Sequence, residues 1–468
     1  MAQKTFHVEV YGCQMNKLDG QLAADRLRAM GLREAVGLRD ADVVLFVTCS
    51  VRQHAEDRVY SNAGKLKHRK ARQPGLVIGI LGCMAEKDRD DIFRRLPHVD
   101  FICGPGHLDR LEDLVREATA RGAGGHLAAL DAPRAARSPG DVDDHLEAFE
   151  LGRLTPVGEH PFHAYVRVMR GCDNFCAYCI VPYVRGPEAS RPPSAILDEV
   201  GRLVAAGVRH VTLLGQSIGS YARQEQGRLW QLADLVRAAA EIEGLVRLDF
   251  VTTHPKNLSD AIIECLAAGP PVAPYLHVPA QSGSDRVLRA MHRGYTIGEY
   301  RERVAAARRR VPGLSVASDF IVGYPGESDE DFEATVALIR EMDFSQVFAF
   351  KYSVRPGTAA ARLDDDVPED MKKDRLARLL KVWSESALRS KRALIGRTVE
   401  CLVTGPSPKP HLDAAEGGDG GGRMQLSSRS PGQQIVLFEG PSGLIGSMVP
   451  VRITRVSPIT LFGEAVAV

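Results

Sequence analysis

The stretch Cys172-Asp-Asn-Phe-Cys176-Ala-Tyr-Cys179 places three thiols on one short loop, in the spacing C-x3-C-x2-C. Thiolates are the usual protein ligands of iron–sulfur clusters, and three of them hold three corners of a [4Fe–4S] cube. No fourth Cys follows nearby, which leaves one iron open and indicates chemistry at that iron instead of simple electron storage. The alternative is three small buried residues that lie together by chance. Three of only nine Cys within this stretch disfavour it.

Composition excludes several classes of protein. The 468 residues suffice for two or three domains with their own cores. A formal net charge of +1 argues against a polycation, and no apolar run of about 18 residues is present to span a membrane. The N-terminus leads directly into a strand-like pattern, which predicts no secretory signal. The Cys content therefore fits a reducing cytoplasm better than a disulfide framework.

Residues 5–118 alternate between short β-rich runs and helical stretches, the pattern of an α/β domain with a parallel sheet. Three strand candidates share one feature, a Cys just past the strand where the chain turns into a helix: 6–13, 43–49 and 76–83. In open α/β sheets the carboxyl ends of the strands form the ligand crevice. We therefore expect a ligand site at this edge of an N-terminal domain, residues 1–118.

Cys13, Cys49 and Cys83 follow these three strands, so their thiols could converge on a second three-Cys cluster. Coincidence is the alternative, because Cys is a common buried residue. Cys103 also follows a strand-like run and could replace one of the three if that one points away from the crevice. The two other Cys outside the loop lie in core-like patterns: Cys265 and Cys401.

The loop spacing is that of the radical S-adenosylmethionine (SAM) superfamily, and longer motifs make the resemblance more specific. The chain resembles the methylthiotransferases, in particular the MiaB family of tRNA-2-methylthio-N6-dimethylallyladenosine synthases. The motifs that carry the resemblance run in the family's order: Tyr11-Gly-Cys-Gln-Met-Asn16, 170–183, 185–192, 213–216, 253–256, 277–284, 319–327 and 351–358. The segment 214–221 departs from the family, because it lacks two asparagines that are common there.

The resemblance implies two [4Fe–4S] clusters with different tasks. The first is carried by Cys172, Cys176 and Cys179 and cleaves SAM reductively, which gives a radical that can attack an unreactive C–H bond. The second carries or supplies sulfur, and its implied ligands are the strand-end residues: Cys13, Cys49 and Cys83. The implied substrate is tRNA, at C2 of the isopentenylated adenosine just 3′ of the anticodon. The resemblance also implies an external electron donor and a cytoplasmic enzyme, which we expect to be a monomer.

Residues 161–390 repeat short β runs and amphipathic helices, which predicts a partial (β/α) barrel. Since the cluster loop follows the first strand, side chains at the strand ends are expected at the same mouth. These candidates are Gln216, Thr253, His254, Gln281, Ser282, Asp319 and Tyr352. Each could equally be a cap or a turn former.

Four residues are candidate contacts of SAM: Tyr178, Gln216, Gln281 and Gly323. Tyr178 precedes the third loop Cys, where the superfamily has an aromatic residue, and ordinary packing is the alternative for its ring. Gly323 opens a Gly-Tyr-Pro-Gly turn whose backbone could approach an adenine. Arg185 and Arg191 flank the cluster loop and could pair with a carboxylate or a phosphate, or be solvated.

Residues 393–468 change to short β runs with turns, which predicts a small β-barrel that resembles the TRAM module, an RNA-binding barrel. A Gly-rich insertion at 416–422 is expected to be a solvated loop, and 119–160 an interdomain linker. Six Lys and Arg balance six Asp and Glu in 393–468, which is unusual for a phosphate-binding module. Basic runs at 65–72 and 308–310 could compensate, although such runs are more often solvated helix faces.

Two other functions compete with isopentenyl-adenosine methylthiolation. One is the sister reaction on threonylcarbamoyl-adenosine or on a ribosomal protein. The motif Tyr11-Gly-Cys-Gln-Met-Asn16 favours the isopentenyl branch, and Arg355-Pro-Gly-Thr358 argues against the ribosomal-protein branch. The other is a non-catalytic iron–sulfur module that binds RNA, for which two open clusters and a SAM-type barrel would have no purpose.

Overall fold

The computed structural model describes residues 3–50, 53–122, 125–131, 150, 153, 158, 160–408 and 423–466. These residues form an N-terminal parallel sheet with helices, an incomplete (β/α) barrel and a closed C-terminal β-barrel. The predicted α/β fold class with a small terminal β-barrel is therefore confirmed. In the described ranges, no helix is long and apolar enough to cross a membrane.

The N-terminal sheet has, among the described residues, six strands in the order β2-β1-β3-β4-β5-β6, and each neighbouring pair is parallel. The strands are β1 (Thr5–Tyr11), β2 (Arg33–Glu34), β3 (Val43–Thr48), β4 (Val77–Gly82), β5 (Phe101–Cys103) and β6 (Leu127–Ala129). The helices are α1 (Gln14–Ala29), α2 (Gln53–Lys65), α3 (Lys67–Arg72), α4 (Cys83–Asp88), α5 (Asp90–Arg95) and α6 (Leu111–Arg121). Apolar side chains cover both faces, so β3 and β4 are buried along their whole length.

The sheet extends past the predicted domain boundary at residue 118, because β6 pairs with β5 at its edge. Most of the predicted linker, residues 119–160, lies outside the described part of the chain, as does the predicted Gly-rich loop at 416–422. Within the linker range, Glu150 and Arg153 are buried and form ion pairs with barrel residues. The domain boundaries remain a prediction.

The central barrel consists of two parallel three-stranded sheets, β13-β10-β7 and β14-β15-β16, among the described residues. Its strands and the short strands around it are β7 (His163–Arg167), β8 (Met169–Arg170), β9 (Ala189–Ser190), β10 (His210–Leu214), β11 (Ala222–Glu225), β12 (Arg228–Gln231), β13 (Arg247–Phe250), β14 (Tyr275–His277), β15 (Ser315–Val322) and β16 (Gln346–Lys351). One hydrophobic core packs against both sheets.

The helices of the barrel alternate with its strands, as the sequence pattern predicts. They are α7 (Val181–Val184), α8 (Pro193–Ala205), α9 (Leu232–Ala240), α10 (Asp260–Ala267), α11 (Asp285–Ala290), α12 (Ile297–Arg310), α13 (Asp329–Met342) and α14 (Glu369–Arg392). α14 leads into the closed C-terminal barrel, whose strands are β17 (Thr398–Pro406), β18 (Arg423–Arg429), β19 (Ile435–Pro441), β20 (Met448–Val456) and β21 (Thr460–Ala465).

The basic run on α3 has a structural role that the sequence did not reveal. Lys70 is buried, and its Nζ lies 2.7 Å from Oδ1 of Asp100, which also accepts a hydrogen bond from the backbone of Ile78. Arg69 donates hydrogen bonds to the carbonyl oxygens of Leu38 and Ala41. Neither side chain is a solvated charge available to RNA. They hold α3 against the sheet.

We expect Lys70→Met to destabilise the N-terminal sheet. Removing one partner of a buried ion pair leaves Asp100 unpaired and typically costs about 3–5 kcal/mol. Thermal and urea unfolding of the purified chain should therefore show a clear loss of stability. Lys67 lies on the exposed side of the same helix, so Lys67→Met should change stability by no more than about 0.5 kcal/mol. Equal effects of the two substitutions would contradict the structural role.

Candidate active site with two cysteine triads

The register of the N-terminal sheet brings three cysteines to one edge. In β1, β3 and β4 the last paired residues align, Tyr11 with Thr48 and Thr48 with Gly82. The residues that follow these strands therefore leave the sheet side by side. We call Cys13, Cys49 and Cys83 the sheet-edge triad, and the structure brings them together as the strand pattern predicts.

Within the sheet-edge triad, Cys49 forms a hydrogen bond with Cys13, and Cys83 contacts a cation. Gly12 permits this approach, because a Cβ there would lie 2.4 Å from Cβ of Cys49. A hydrogen bond from Cys49, against the effect of burial, lowers the pKa of Cys13 to about 6. Nε of Arg185 donates a hydrogen bond to Sγ of Cys83 at 3.2 Å. Burial nevertheless raises the pKa of Cys83, because it outweighs the effect of Arg185, so a metal would have to displace the proton of this thiol.

Cys103, the alternative ligand, does not reach this edge. It is a strand residue paired with Leu81, its side chain is part of the hydrophobic core, and its thiol donates to the carbonyl oxygen of His107 at 3.1 Å. Cys265 and Cys401 are core residues too, as their sequence patterns predict.

The loop triad, Cys172, Cys176 and Cys179, lies on a tight loop after β8. The loop needs Gly171, because a Cβ at this position would lie 1.8 Å from the carbonyl oxygen of Pro187. Nδ2 of Asn174 donates to Sγ of Cys172 at 3.2 Å. Burial raises the pKa of Cys172, and it raises that of Cys179 to about 12, so these thiols are neutral until a metal displaces their protons.

The aromatic residues of the loop have different surroundings. Phe175 is 43% exposed, has a left-handed backbone with φ 47°, and packs edge-on against Tyr183. An exposed aromatic ring in a strained conformation marks a functional loop more often than a packing element. Tyr178 is partly buried, and its hydroxyl accepts a hydrogen bond from Arg293 at 3.4 Å.

The contacts of Arg293 show that the loop triad suits an anionic cluster. Its Nη1 donates to Sγ of Cys176 at 3.3 Å, and its other hydrogen bonds go to the hydroxyls of Tyr178 and Tyr295 and the carbonyl oxygen of Pro279. No carboxylate pairs with it among the described residues, although it is buried. An unpaired buried guanidinium is costly. Three thiolates around an iron–sulfur cluster would supply the missing negative charge, so the residues fit this group.

The two triads belong to one interface between the N-terminal sheet and the barrel. Ile180, the residue after Cys179, packs in one small apolar cluster with Cys83 and Val184. Asp19 of α1 is buried and lies 2.9 Å from Nη2 of Arg167 and 2.8 Å from Nη2 of Arg185. Burial opposes ionisation of Asp19, but these arginines outweigh it and hold the pKa of its carboxyl below the ordinary value. The ion pairs therefore fix one triad relative to the other.

A cavity of about 760 Å³ lies in the same interface, beside the loop triad. On one side it is lined by residues that follow Cys49, namely Ser50, Gln53 and His54. On the barrel side its lining includes Tyr178, Cys179, Ile180, Gln281, Asp319, Ile321, Tyr352, Arg355 and Lys372. This volume is typical of a site for a small molecule or a nucleoside.

Of the four predicted SAM contacts, two line the cavity and two do not. Tyr178 and Gln281 line it, and Oε1 of Gln281 is buried without a hydrogen-bond partner among the described residues. Nε2 and Oε1 of Gln216 are also buried without a hydrogen-bond partner among the described residues, but Gln216 does not line this cavity. Gly323 makes room for Lys372 instead, since a Cβ there would lie 2.3 Å from Cγ of Lys372. All four assignments remain predictions.

Sequence reasoning missed several charged residues of the site. Asp19 and Arg293 lie 166 and 117 residues from their partners Arg185 and Cys176, so no local pattern reveals them. Lys372 is part of a helical pattern that gives no sign of the cavity. Arg185 and Arg191 are not solvated: the side chain of each is only 5% exposed and pairs with a carboxylate, as the first alternative predicts.

Comparisons with known proteins agree with this organisation. Residues 166–339 match the Radical SAM superfamily, residues 5–104 match the Uncharacterized protein family UPF0004, and residues 392–466 match the TRAM domain. The tRNA-2-methylthio-N(6)-dimethylallyladenosine synthase of Rhodopirellula baltica is 42% identical over 98% of this chain and 95% of the relative. The chain belongs to this family. The resemblance seen in the motifs is therefore confirmed.

A second relative and a solved structure are also similar to this chain. The protein of the same name from Aeromonas hydrophila is 40% identical over 98% of this chain and 91% of the relative. The radical S-adenosylmethionine methyltransferase TsrM of Kitasatospora setae, with cobalamin and a [4Fe–4S] cluster, has a TM-score of 0.53 and 16% identity over 77% of each chain. At this identity the likeness shows the fold alone. Family membership supports SAM and an iron–sulfur cluster as cofactors.

We expect the two triads to bind iron independently. Replacing Cys13, Cys49 and Cys83 by Ala should remove about half of the iron of the anaerobically reconstituted chain, as should the same change in the loop triad, since each triad can hold one four-iron cluster. Iron analysis and absorption spectra measure this. Cys103→Ala is the matched control, because this thiol is buried in the same domain yet faces the core. A loss of iron in that control would contradict the assignment.

Proposed function

We propose that this chain is a radical SAM methylthiotransferase that adds a methylthio group to C2 of N6-isopentenyladenosine, next to the anticodon of tRNA. One observation carries this proposal. Two Cys triads from two different parts of the fold, with two buried Cys and one partly buried Cys in each, meet at one interface, which also holds a cavity of about 760 Å³. The name and near full-length similarity of the relatives support the same reaction.

Two [4Fe–4S] clusters are part of the proposal, one held by the loop triad and one by the sheet-edge triad. When bound, these groups supply one-electron cleavage of SAM and the sulfur for the product, which the unreactive C2–H bond requires. The thiols of each triad provide three ligands. Four of the six Cys are buried and the other two, Cys13 and Cys179, are partly buried, which limits the access of water to the reacting groups.

The cavity residues divide the binding of SAM and substrate between polar and apolar groups. Ile321, Ala349 and Leu376 give part of the lining an apolar character that suits an isopentenyl chain. Oε1 of Gln281 and the hydroxyl of Tyr352 are buried acceptors or donors without partners among the described residues. Such groups gain a hydrogen bond when a ligand enters, which favours an amine, a ribose or an adenine at this place.

Recognition of tRNA requires positive charge, and the net charge of the whole chain is too small to provide it. The C-terminal barrel exposes Arg397, Arg452 and Arg455 near the paired ends of β17 and β20, so this edge can contact phosphate. The proposal includes an external electron donor for the clusters. It also includes a monomer in the cytoplasm, where tRNA is modified and thiols stay reduced.

Mass spectrometry of tRNA nucleosides tests the proposed reaction. Cells that lack the gene should accumulate isopentenyl-adenosine and lose its methylthio form, and the intact gene should restore it. A variant in which the three Cys of one triad are replaced by Ala should fail to restore it, whichever triad is changed. The Cys103→Ala variant should restore it. Loss of methylthio-threonylcarbamoyl-adenosine instead would assign the sister reaction, and unchanged nucleosides would overturn the proposal.

A further inference from the structure

A cluster of imidazoles lies outside the active site, at the start of the barrel strands. One ring nitrogen each of His160, His163 and His210 lies within 4.8 Å of the others. The rings of His163 and His210 are stacked, with centroids 4.1 Å apart and planes inclined by only 16°. A metal ion must lie in the plane of each imidazole that binds it, because the nitrogen lone pair lies in that plane. Nearly parallel planes share no such point near the rings, so this group is a stack and not a chelating set.

We propose that two buried arginines set the reduction potentials of the two clusters separately. Arg185 acts on the cluster of the sheet-edge triad, and Arg293 acts on that of the loop triad. This assignment rests on the proposed function, because it requires both clusters. It gives each cluster a positioning residue that touches a ligand sulfur and leaves the other cluster largely unaffected.

Arg185 is placed to act on the sheet-edge triad, although it belongs to the barrel. It follows α7, the first helix after the cluster loop, and reaches across the interface. Its Nε donates to Sγ of Cys83 at 3.2 Å, and its Nη2 lies 2.8 Å from Oδ2 of Asp19. The side chain of Arg185 is only 5% exposed, and both of its partners are buried. Its positive charge is therefore partly balanced by a carboxylate before any cluster is present.

Arg293 has the equivalent contact in the loop triad, with a different balance of charge. Its Nη1 donates to Sγ of Cys176 at 3.3 Å. Its remaining partners in the described structure are two tyrosine hydroxyls and one backbone carbonyl, none of which carries a negative charge at neutral pH. The cluster of the loop triad would thus be its main counter-ion.

The direction of the effect follows from electrostatics. Uptake of an electron makes a cluster more negative, and a positive charge or a hydrogen bond to a ligand sulfur stabilises that state. Each arginine therefore raises the potential of the cluster it touches. The interior of a protein screens charge less than water, so the contact is strong at short range. Because Asp19 offsets part of the charge of Arg185, its carboxylate lowers the potential of the sheet-edge cluster.

Asp19 separates a redox role from a purely structural one. Arg185→Gln removes a positive charge near the sheet-edge cluster and should shift its midpoint potential to more negative values. Asp19→Asn removes a negative charge from the same ion pair and should shift it in the opposite direction. If the pair only held the two domains together, both changes would act in the same way, through loss of cluster or of stability.

The experiment is a redox titration of the full-length chain followed by electron paramagnetic resonance. Variants with Ala in one triad carry only the other cluster and give each potential without overlap. Into the chain that keeps the sheet-edge cluster we would introduce Arg185→Gln, Arg185→Lys, Asp19→Asn and Arg293→Gln. The same Arg185→Gln and Arg293→Gln changes would be made in the chain that keeps the loop cluster. Iron content is measured for each, and Arg185→Lys keeps the charge if Arg185→Gln fails to hold its cluster.

The expected result is a crossed pattern. Arg185→Gln lowers the potential of the sheet-edge cluster alone, and Arg293→Gln lowers that of the loop cluster alone. Arg185→Lys shifts the sheet-edge potential less than Arg185→Gln does. Asp19→Asn raises the sheet-edge potential. Unchanged potentials, or equal shifts of both clusters, would overturn the arginine proposal while the two-cluster function stands. A wild-type chain that binds about four irons instead of about eight would overturn the proposed function itself.

Discussion

The buried ion pairs of Asp19 hold the active site together. This carboxylate lies on α1 of the N-terminal sheet, and its two partners, Arg167 and Arg185, belong to the barrel. A buried pair contributes little net stability compared with apolar packing, but loss of one partner is costly. The interaction therefore constrains how the sheet and the barrel can be arranged, because these charges need their partners. In the observed arrangement Ile180, Val184 and Cys83 form one apolar cluster, and the two triads share an interface.

The surroundings of the triads differ although each consists of three thiols. At the sheet edge, a hydrogen bond from Cys49 lowers the pKa of Cys13 while burial raises that of Cys83, and an arginine with its own carboxylate lies beside Cys83. In the loop, burial raises the pKa of Cys172 and Cys179, and the nearby arginine lacks a carboxylate among the described residues. If each triad holds a cluster, as proposed, these charge balances would make the two clusters accept an electron with different ease, because charge and hydrogen bonding set the reduction potential.

Some of the site was visible in the sequence because the physics involved is local or topological. Strand ends of a parallel sheet share an edge, so a Cys after each of three strands was enough to predict the sheet-edge triad. The choice between Cys83 and Cys103 needed the register, since Cys103 pairs within β5 and its side chain faces the core. Charged residues were the least predictable. The basic run of α3 looks solvated in sequence, yet Lys70 is buried and pairs with Asp100, which lies just before β5.

The sequence by itself determined the two sets of cysteines, the order of the three domains and the family. Spacing along the chain and hydrophobic periodicity are properties of neighbouring residues. Only the tertiary structure decided which cations reach which sulfur, which of the predicted SAM contacts line the cavity, and how the two triads face each other. These depend on contacts between residues far apart in the chain, such as Arg185 with Cys83 and Arg293 with Cys176, and on the loss of water that makes each buried charge require a partner.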